Sequence, residues 1–164
     1  MISKRREIMQ KNNQECEKII RTYADTVYRL AYSYSRNQAD ADDIFQEVFF
    51  RYLKKQPKFK NAEHAKAWFL RVTANCAKSF LTSAWKRHTQ SLEQDMIFEQ
   101  PEENYLDEAL RYLPTKYREV IHLYYYEGYQ TDEIAKILKR KPSTVRTQLT
   151  RAREYLAKIL KEEN

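Results

Sequence analysis

Eight Lys or Arg side chains lie between Lys136 and Lys158 (Lys136, Lys139, Arg140, Lys141, Arg146, Arg151, Arg153 and Lys158) against one acid, Glu154. Ammonium and guanidinium groups at that density can replace the counterions of a phosphate backbone, whereas most helical hairpins mix the two signs. A second polar set follows an aromatic run in the middle of the chain. Arg71, Asn75, Lys78, Trp85, Lys86 and Arg87 combine cations for phosphate with an amide for a base edge, as a protein gripping an opened strand requires. Trp68 and Phe80 recur at core spacing and read as packing residues rather than stacking platforms. A third set, Asp43, Gln46, Glu47 and Arg51, recurs at i, i+3, i+4 and i+8 and makes an ordered stripe on one side of a helix. Taken alone, that stripe reads first as a solvated face and second as a docking surface. None of the sets supplies a nucleophile, a metal-ligand array or a glycine-rich phosphate loop, so no catalytic centre is expected.

Holding these side chains in place is a task for helices. Amphipathic spacing predicts helices over Pro114 to Glu127, Thr131 to Leu138 and Ser143 to Leu160. Ala135 is small enough for the short helices to cross closely, and Ile134, Leu138, Val145 and Leu149 can bury a shared core. Gly128 can take the left-handed conformation that stops the first helix, and Thr131 can cap the next ahead of Asp132 and Glu133. This is the outline of a helix-turn-helix. A basic helix lying on a membrane, or one captured by a calmodulin-type partner, needs no such fixed crossing.

Upstream, Glu15 to Tyr34 carries one broad apolar face, Asn37 to Ala39 breaks it, and Asp40 opens a second helix through Tyr52 that Pro57 ends. His64 to Ser83 gives a third, with Trp68, Phe69, Val72, Cys76 and Phe80 on its buried side. Residues 89–104 contain five acids, no Lys or Arg and one Pro, too polar to bury much surface, and read as a flexible linker. Periodicity returns at Tyr105. The expected fold is therefore all-α, with two small helical domains, 1–88 and 105–164, joined by the acidic segment 89–104.

Composition agrees. A single Gly and four Pro in 164 residues leave little material for β-turns, and a net charge of +7, clustered as described, points to nucleic acid. Cys16 and Cys76 read as reduced thiols, and three histidines form no metal-spaced array, so no cofactor or metal is expected. The basic N-terminus has no apolar stretch behind it and no window approaches a membrane span, which predicts a cytoplasmic location.

The order of the pieces is informative. DADDIFQEVF, then AWFLRVTANCAKSFL, then an acidic linker, then LPTKYREVIHLYYYEGYQTDEIAKILKRKPSTVRTQLTRARE, closely resembles the extracytoplasmic-function sigma factors of bacterial RNA polymerase, over about Glu15 to Leu160. The resemblance implies that Asp43, Gln46 and Glu47 dock on the clamp coiled coil of the largest subunit of core RNA polymerase. It implies that the segment around Arg71, Asn75 and Lys78, with Lys86 and Arg87, opens and holds the minus-ten element of promoter DNA, Asn75 and Lys78 lying near a flipped-out base. The helix from Ser143 would read the minus-thirty-five element through Ser143, Thr144, Arg146, Thr147, Gln148 and Arg151. The acidic linker would thread towards the RNA exit path. The implied function is non-enzymatic: directing polymerase to promoters, including their melting. Since nothing follows Asn164, control is expected from a separate anti-sigma factor. A DNA-binding regulator that works without polymerase is the competing reading. The chain departs from the family pattern at Lys139 and Ser143, where glycine is common, and at Lys141, while Pro142 pre-sets the backbone of the first helical turn.

Overall fold

The computed structural model describes residues 2–88 and 105–162, and within these the side chains of residues 2, 84–88 and 105–107 lie outside the description. The expected linker, 89–104, falls outside the described residues. All described elements are helical: α1 (Ile2–Ser35), α2 (Gln38–Lys55), α3 (Ala62–His88), α4 (Tyr105–Tyr112), α5 (Thr115–Ile121), a π-helical turn (His122–Tyr126), α6 (Thr131–Leu138) and α7 (Pro142–Glu162). The fold is all-α, as expected.

Local chemistry sets most boundaries. Arg36 takes a left-handed conformation (φ 62°) and donates its N–H to Tyr32 O at 2.8 Å, ending α1. Asn37 then caps α2: its Oδ1 accepts the Asp40 N–H at 2.8 Å while its Nδ2 donates to Asp40 Oδ2 at 2.7 Å. The cap sits at Asn37, so α2 begins at Gln38, two residues before the expected start. Gln56, left-handed at φ 42°, closes α2 just before Pro57. Asn61 Oδ1 accepts the His64 N–H at 2.8 Å, which moves the start of α3 back to Ala62. Helix α1 starts far ahead of Glu15, because residues 3–14 hold no Gly or Pro and consist largely of good helix formers, although they touch no core and are exposed.

Helices α1 to α3 pack around Phe69, which is fully buried. Its ring lies 4.9 Å from Tyr23, 5.4 Å from Tyr52, 5.5 Å from Phe49 and 5.0 Å from Trp68, so Trp68 does serve packing. Burying a side chain of that size is worth about 1.5 to 3 kcal/mol. Val27, Leu30, Ile44, Val48, Leu70 and Ala77 complete this core. Cys76 is buried, which pushes its thiol up and leaves it unreactive, and both cysteines are free.

The second unit buries Leu113, Tyr117, Val120, Leu123, Ile134, Leu138, Val145, Leu149 and Ala152. Between α5 and α6 the chain makes a π turn, with the Glu127 N–H donating to His122 O at 3.1 Å. A π turn brings residue i+5 back towards residue i, whereas an α-helix carries it well round the axis. His122 and Glu127 consequently face each other. The two units are in contact, α1 against α5 and α3 against α6.

Candidate nucleic-acid interface

The helix-turn-helix forms from α6 and α7. Gly128 adopts φ 74°, as expected for the stop before the motif. The cap of α6 is Gln130 rather than Thr131: the Gln130 N–H donates to Glu133 Oε2 at 2.8 Å, and Thr131 is already helical. Lys139 occupies the left-handed position that ends α6 (φ 52°), and its N–H reaches back to Ala135 O. That is the backbone role a glycine performs more cheaply, so this departure from the family pattern costs strain and leaves the turn intact. Pro142 is the first residue of α7, where its missing N–H costs nothing.

Val145, Leu149 and Ala152 turn into the core. Ser143, Thr144, Arg146, Thr147 and Arg151 are thereby left exposed on the outer side of α7, and Gln148 is half-buried with its Oε1 accepting from Arg140 Nη1 at 3.0 Å. Arg146 Nη1 lies 3.4 Å from Asp132 Oδ1, a loose pair of exposed side chains worth little in water. Not every cation of this face is equally available. Arg153 stacks over Tyr124 and Tyr125, 5.4 and 5.6 Å from their ring centres, and donates to the Tyr125 hydroxyl at 2.8 Å.

On α2, Asp43, Gln46 and Glu47 are exposed along one stripe, and Arg51 Nε donates to Glu47 Oε1 at 2.7 Å. Phe50 falls on the same stripe and is 62% exposed, an apolar surface the sequence reading did not single out although its spacing from Asp43 and Glu47 carries the signal.

The strand-holding candidates on α3 are placed less openly. Arg71, Asn75 and Lys78 share one side of the helix, with Asn75 exposed and Arg71 and Lys78 half-buried. Arg71 Nη2 donates to Lys136 O of α6 at 3.1 Å, and its buried Nε has no partner among the described residues. Lys78 Nζ lies 3.2 Å from Glu119 Oε2 of α5. Lys86 and Arg87 lie in the last turn of α3, and their side chains are outside the description.

Two buried carboxylates were not anticipated. The Glu119 side chain is 1% exposed and receives the Tyr34 hydroxyl, Arg140 and Lys78. Burial, then the charge and hydrogen bond of Glu119, push the Tyr34 phenol well above its ordinary value, so it remains a donor. The Glu127 side chain is 2% exposed, with Lys66 Nζ at 2.9 Å, His122 Nε2 at 3.5 Å and Arg29 Nη2 at 3.8 Å. Burial pushes its carboxyl up, but His122 and Lys66 together outweigh this and hold it at about 2.

A helical bundle with an exposed acidic stripe, followed by a helix-turn-helix with an open basic face, is the architecture of a sigma-70-type initiation factor. The family model for Sigma-70 region 2 matches residues 19–87 and that for Sigma-70, region 4 matches residues 103–156. The chain belongs to the sigma-70 family of RNA polymerase sigma factors, in its extracytoplasmic-function branch. It is similar to RNA polymerase sigma factor SigV of Bacillus subtilis (strain 168), at 34% identity over 142 residues covering 84% of this chain and 86% of that protein. It is also similar to ECF RNA polymerase sigma factor SigW of the same organism, at 28% identity over 183 residues covering 99% and 98%. Among solved structures, sigma factor RpoE from Bartonella quintana, crystallised with the anti-sigma factor NepR, shares the fold at a TM-score of 0.72 and 22% identity, covering 94% of this chain and 99% of that one. Among the described residues no helix is long and apolar enough to cross a membrane, and no cluster of metal-binding side chains occurs.

Proposed function

We propose that this chain binds core RNA polymerase, brings it to promoters and helps to melt them, without performing chemistry itself. One observation carries the reading: a single chain presents an exposed acidic and aromatic stripe on α2, fit for a protein partner, and an exposed cationic face on α7, fit for a DNA groove. Residues 1–88 act as the polymerase-docking and minus-ten domain, 105–164 as the minus-thirty-five domain and 89–104 as the linker. Asp43, Gln46 and Glu47 meet the clamp coiled coil. Ser143, Thr144, Arg146, Thr147, Gln148 and Arg151 read the duplex. Arg71, Asn75, Lys78, Lys86 and Arg87 hold the displaced strand, whose flipped base costs a few kcal/mol of stacking that edge contacts offset. A separate anti-sigma factor regulates the chain in the cytoplasm, a partner suggested by the NepR complex of the similar RpoE.

The test mixes the purified chain with bacterial core polymerase and promoter libraries and scores promoter-dependent transcripts. Asn75→Ala is expected to retain polymerase binding yet lose permanganate reactivity of thymines in the melted region. A regulator that works without polymerase yields neither transcripts nor reactive thymines, and that result refutes the proposal.

A further inference from the structure

Gln148 sits where α7 turns from its buried side to its exposed side. Thr144 and Arg151, four residues before it and three after, are exposed on the same side of the helix, while Gln148 is half-buried beside the core residues Val145, Leu149 and Ala152. A glutamine in the major groove ordinarily reads adenine, its amide oxygen accepting from N6 while its amide nitrogen donates to N7. Such a pair requires both ends of the amide to face the base.

One end of this amide is already committed. Arg140, in the turn between α6 and α7, donates from Nη1 to Gln148 Oε1 at 3.0 Å. A guanidinium has donors and no acceptor, so only the amide oxygen can face it, and the Nε2 group with its two hydrogens is left on the other edge of the planar amide. Arg140 is itself tied down. Its Nη2 is paired with Oε1 of the buried Glu119, and its backbone N–H donates to Ala135 O at 2.9 Å. Held at three points, with its side chain 20% exposed, it has little freedom to release the amide.

We propose that Arg140 is a positioning residue that fixes Gln148 as a hydrogen-bond donor towards DNA, so that Gln148 selects a keto base, guanine through O6 or thymine through O4. At the same place in the major groove adenine and cytosine present an amino group, and two donors facing each other lose the bond and leave both unsatisfied. The proposal rests on the reading of α7 as the duplex-contacting helix and adds the class of base that one of its residues takes.

In the test, the full chain, alone and with core polymerase, selects from a library of randomised double-stranded oligonucleotides, and the bound pool is sequenced. Gln148→Ala locates the position, because the preference there disappears. At that position the wild type is expected to favour guanine or thymine over adenine or cytosine by about two- to tenfold, the discrimination one hydrogen bond supplies. Arg140→Lys keeps a cation for Glu119 but replaces the two-pronged guanidinium with a single ammonium, so the amide is released and adenine gains at the expense of the keto bases. Gln148→Glu keeps the tie to Arg140 and carries no donor, so the preference inverts to adenine or cytosine. Far-UV circular dichroism checks that each variant is folded. A purely structural role for Arg140 would weaken binding at every position alike and leave the preference at this one in place. A wild type that favours adenine there, a keto preference that survives Arg140→Lys or Gln148→Glu, or a Gln148→Ala pool identical to wild type overturns the proposal. So does a library from which nothing is enriched under either condition. Transcription from the selected duplexes with core polymerase is scored separately: keto selection without transcripts sinks the sigma reading and spares the role of Gln148, and transcripts without keto selection do the reverse.

Discussion

The hydrogen bond between Tyr34 and Glu119 spans 85 residues of sequence and two helical units, and a double-mutant cycle isolates it. Tyr34 is 3% exposed, so Tyr34→Phe keeps the packing and removes only the hydroxyl. A hydrogen bond to a charged group is worth roughly 1.5 to 3 kcal/mol. Because Glu119 retains Lys78 and Arg140, the lower part of that range applies, about 1.5 to 2 kcal/mol. Glu119→Gln keeps the shape but turns an amide donor towards Arg140 or Lys78. Those cations are 20% and 40% exposed and can turn partly to water, which reduces the 3 to 5 kcal/mol typical of a broken buried pair to about 2 to 3 kcal/mol. In the Gln variant the amide oxygen still accepts from Tyr34 as a neutral bond of roughly half the strength, so the coupling energy is expected near 1 kcal/mol. Urea unfolding of the four proteins, analysed by linear extrapolation, reads these differences. A double variant whose loss equals the sum of the single losses within about 0.3 kcal/mol refutes the bond and, with it, the contact between the two units at this position.

Three further outcomes are expected. Asp43→Lys with Glu47→Lys alters exposed side chains only, so stability stays close to wild type while binding to core polymerase, read by pull-down or calorimetry, weakens by several kcal/mol through like-charge contact. Glu127, held at about 2 against an ordinary 4.5, stabilises the fold above the ordinary value and loses that contribution as pH falls towards 2. The loss is on the order of 2 to 3 kcal/mol, and Glu127→Gln is expected to flatten the difference in urea midpoint between pH 5 and pH 2. Gly128→Ala introduces a Cβ that meets nothing within 4 Å, yet the left-handed φ of 74° strains it, so a loss of about 1 kcal/mol in thermal or urea unfolding is expected, and an unchanged midpoint would show that the turn relaxes.

Much of this architecture is local and was therefore legible in the sequence. Helical spacing located every described element of the second unit to within a few residues, and the α6 span from Thr131 to Leu138 coincides with its expectation. Boundaries slipped where a cap competes with its neighbours: Asn37 and Asn61 accept backbone N–H groups ahead of the residues expected to open α2 and α3, and Gln130 takes the cap expected of Thr131. The departures at Lys139 and Pro142 were visible as residue types, but only the backbone shows that Lys139 accepts a left-handed conformation to keep the turn.

The sequence by itself determined the all-α class, the two amphipathic hairpin helices, the acidic stripe on α2 and the basic face of α7, because periodicity, caps and charge counts depend on residues a few positions apart. Tertiary structure alone decided the fate of Glu119 and Glu127. In the sequence each is one more acid in an aromatic helix, and nothing nearby announces Tyr34, Lys66, Lys78 or Arg29 as its partners. A π turn that no spacing predicts aligns Glu127 with His122, and the meeting of two units buries both acids. A carboxylate's environment is set by whatever the whole chain brings within about 4 Å, and burial decides how strongly those charges act.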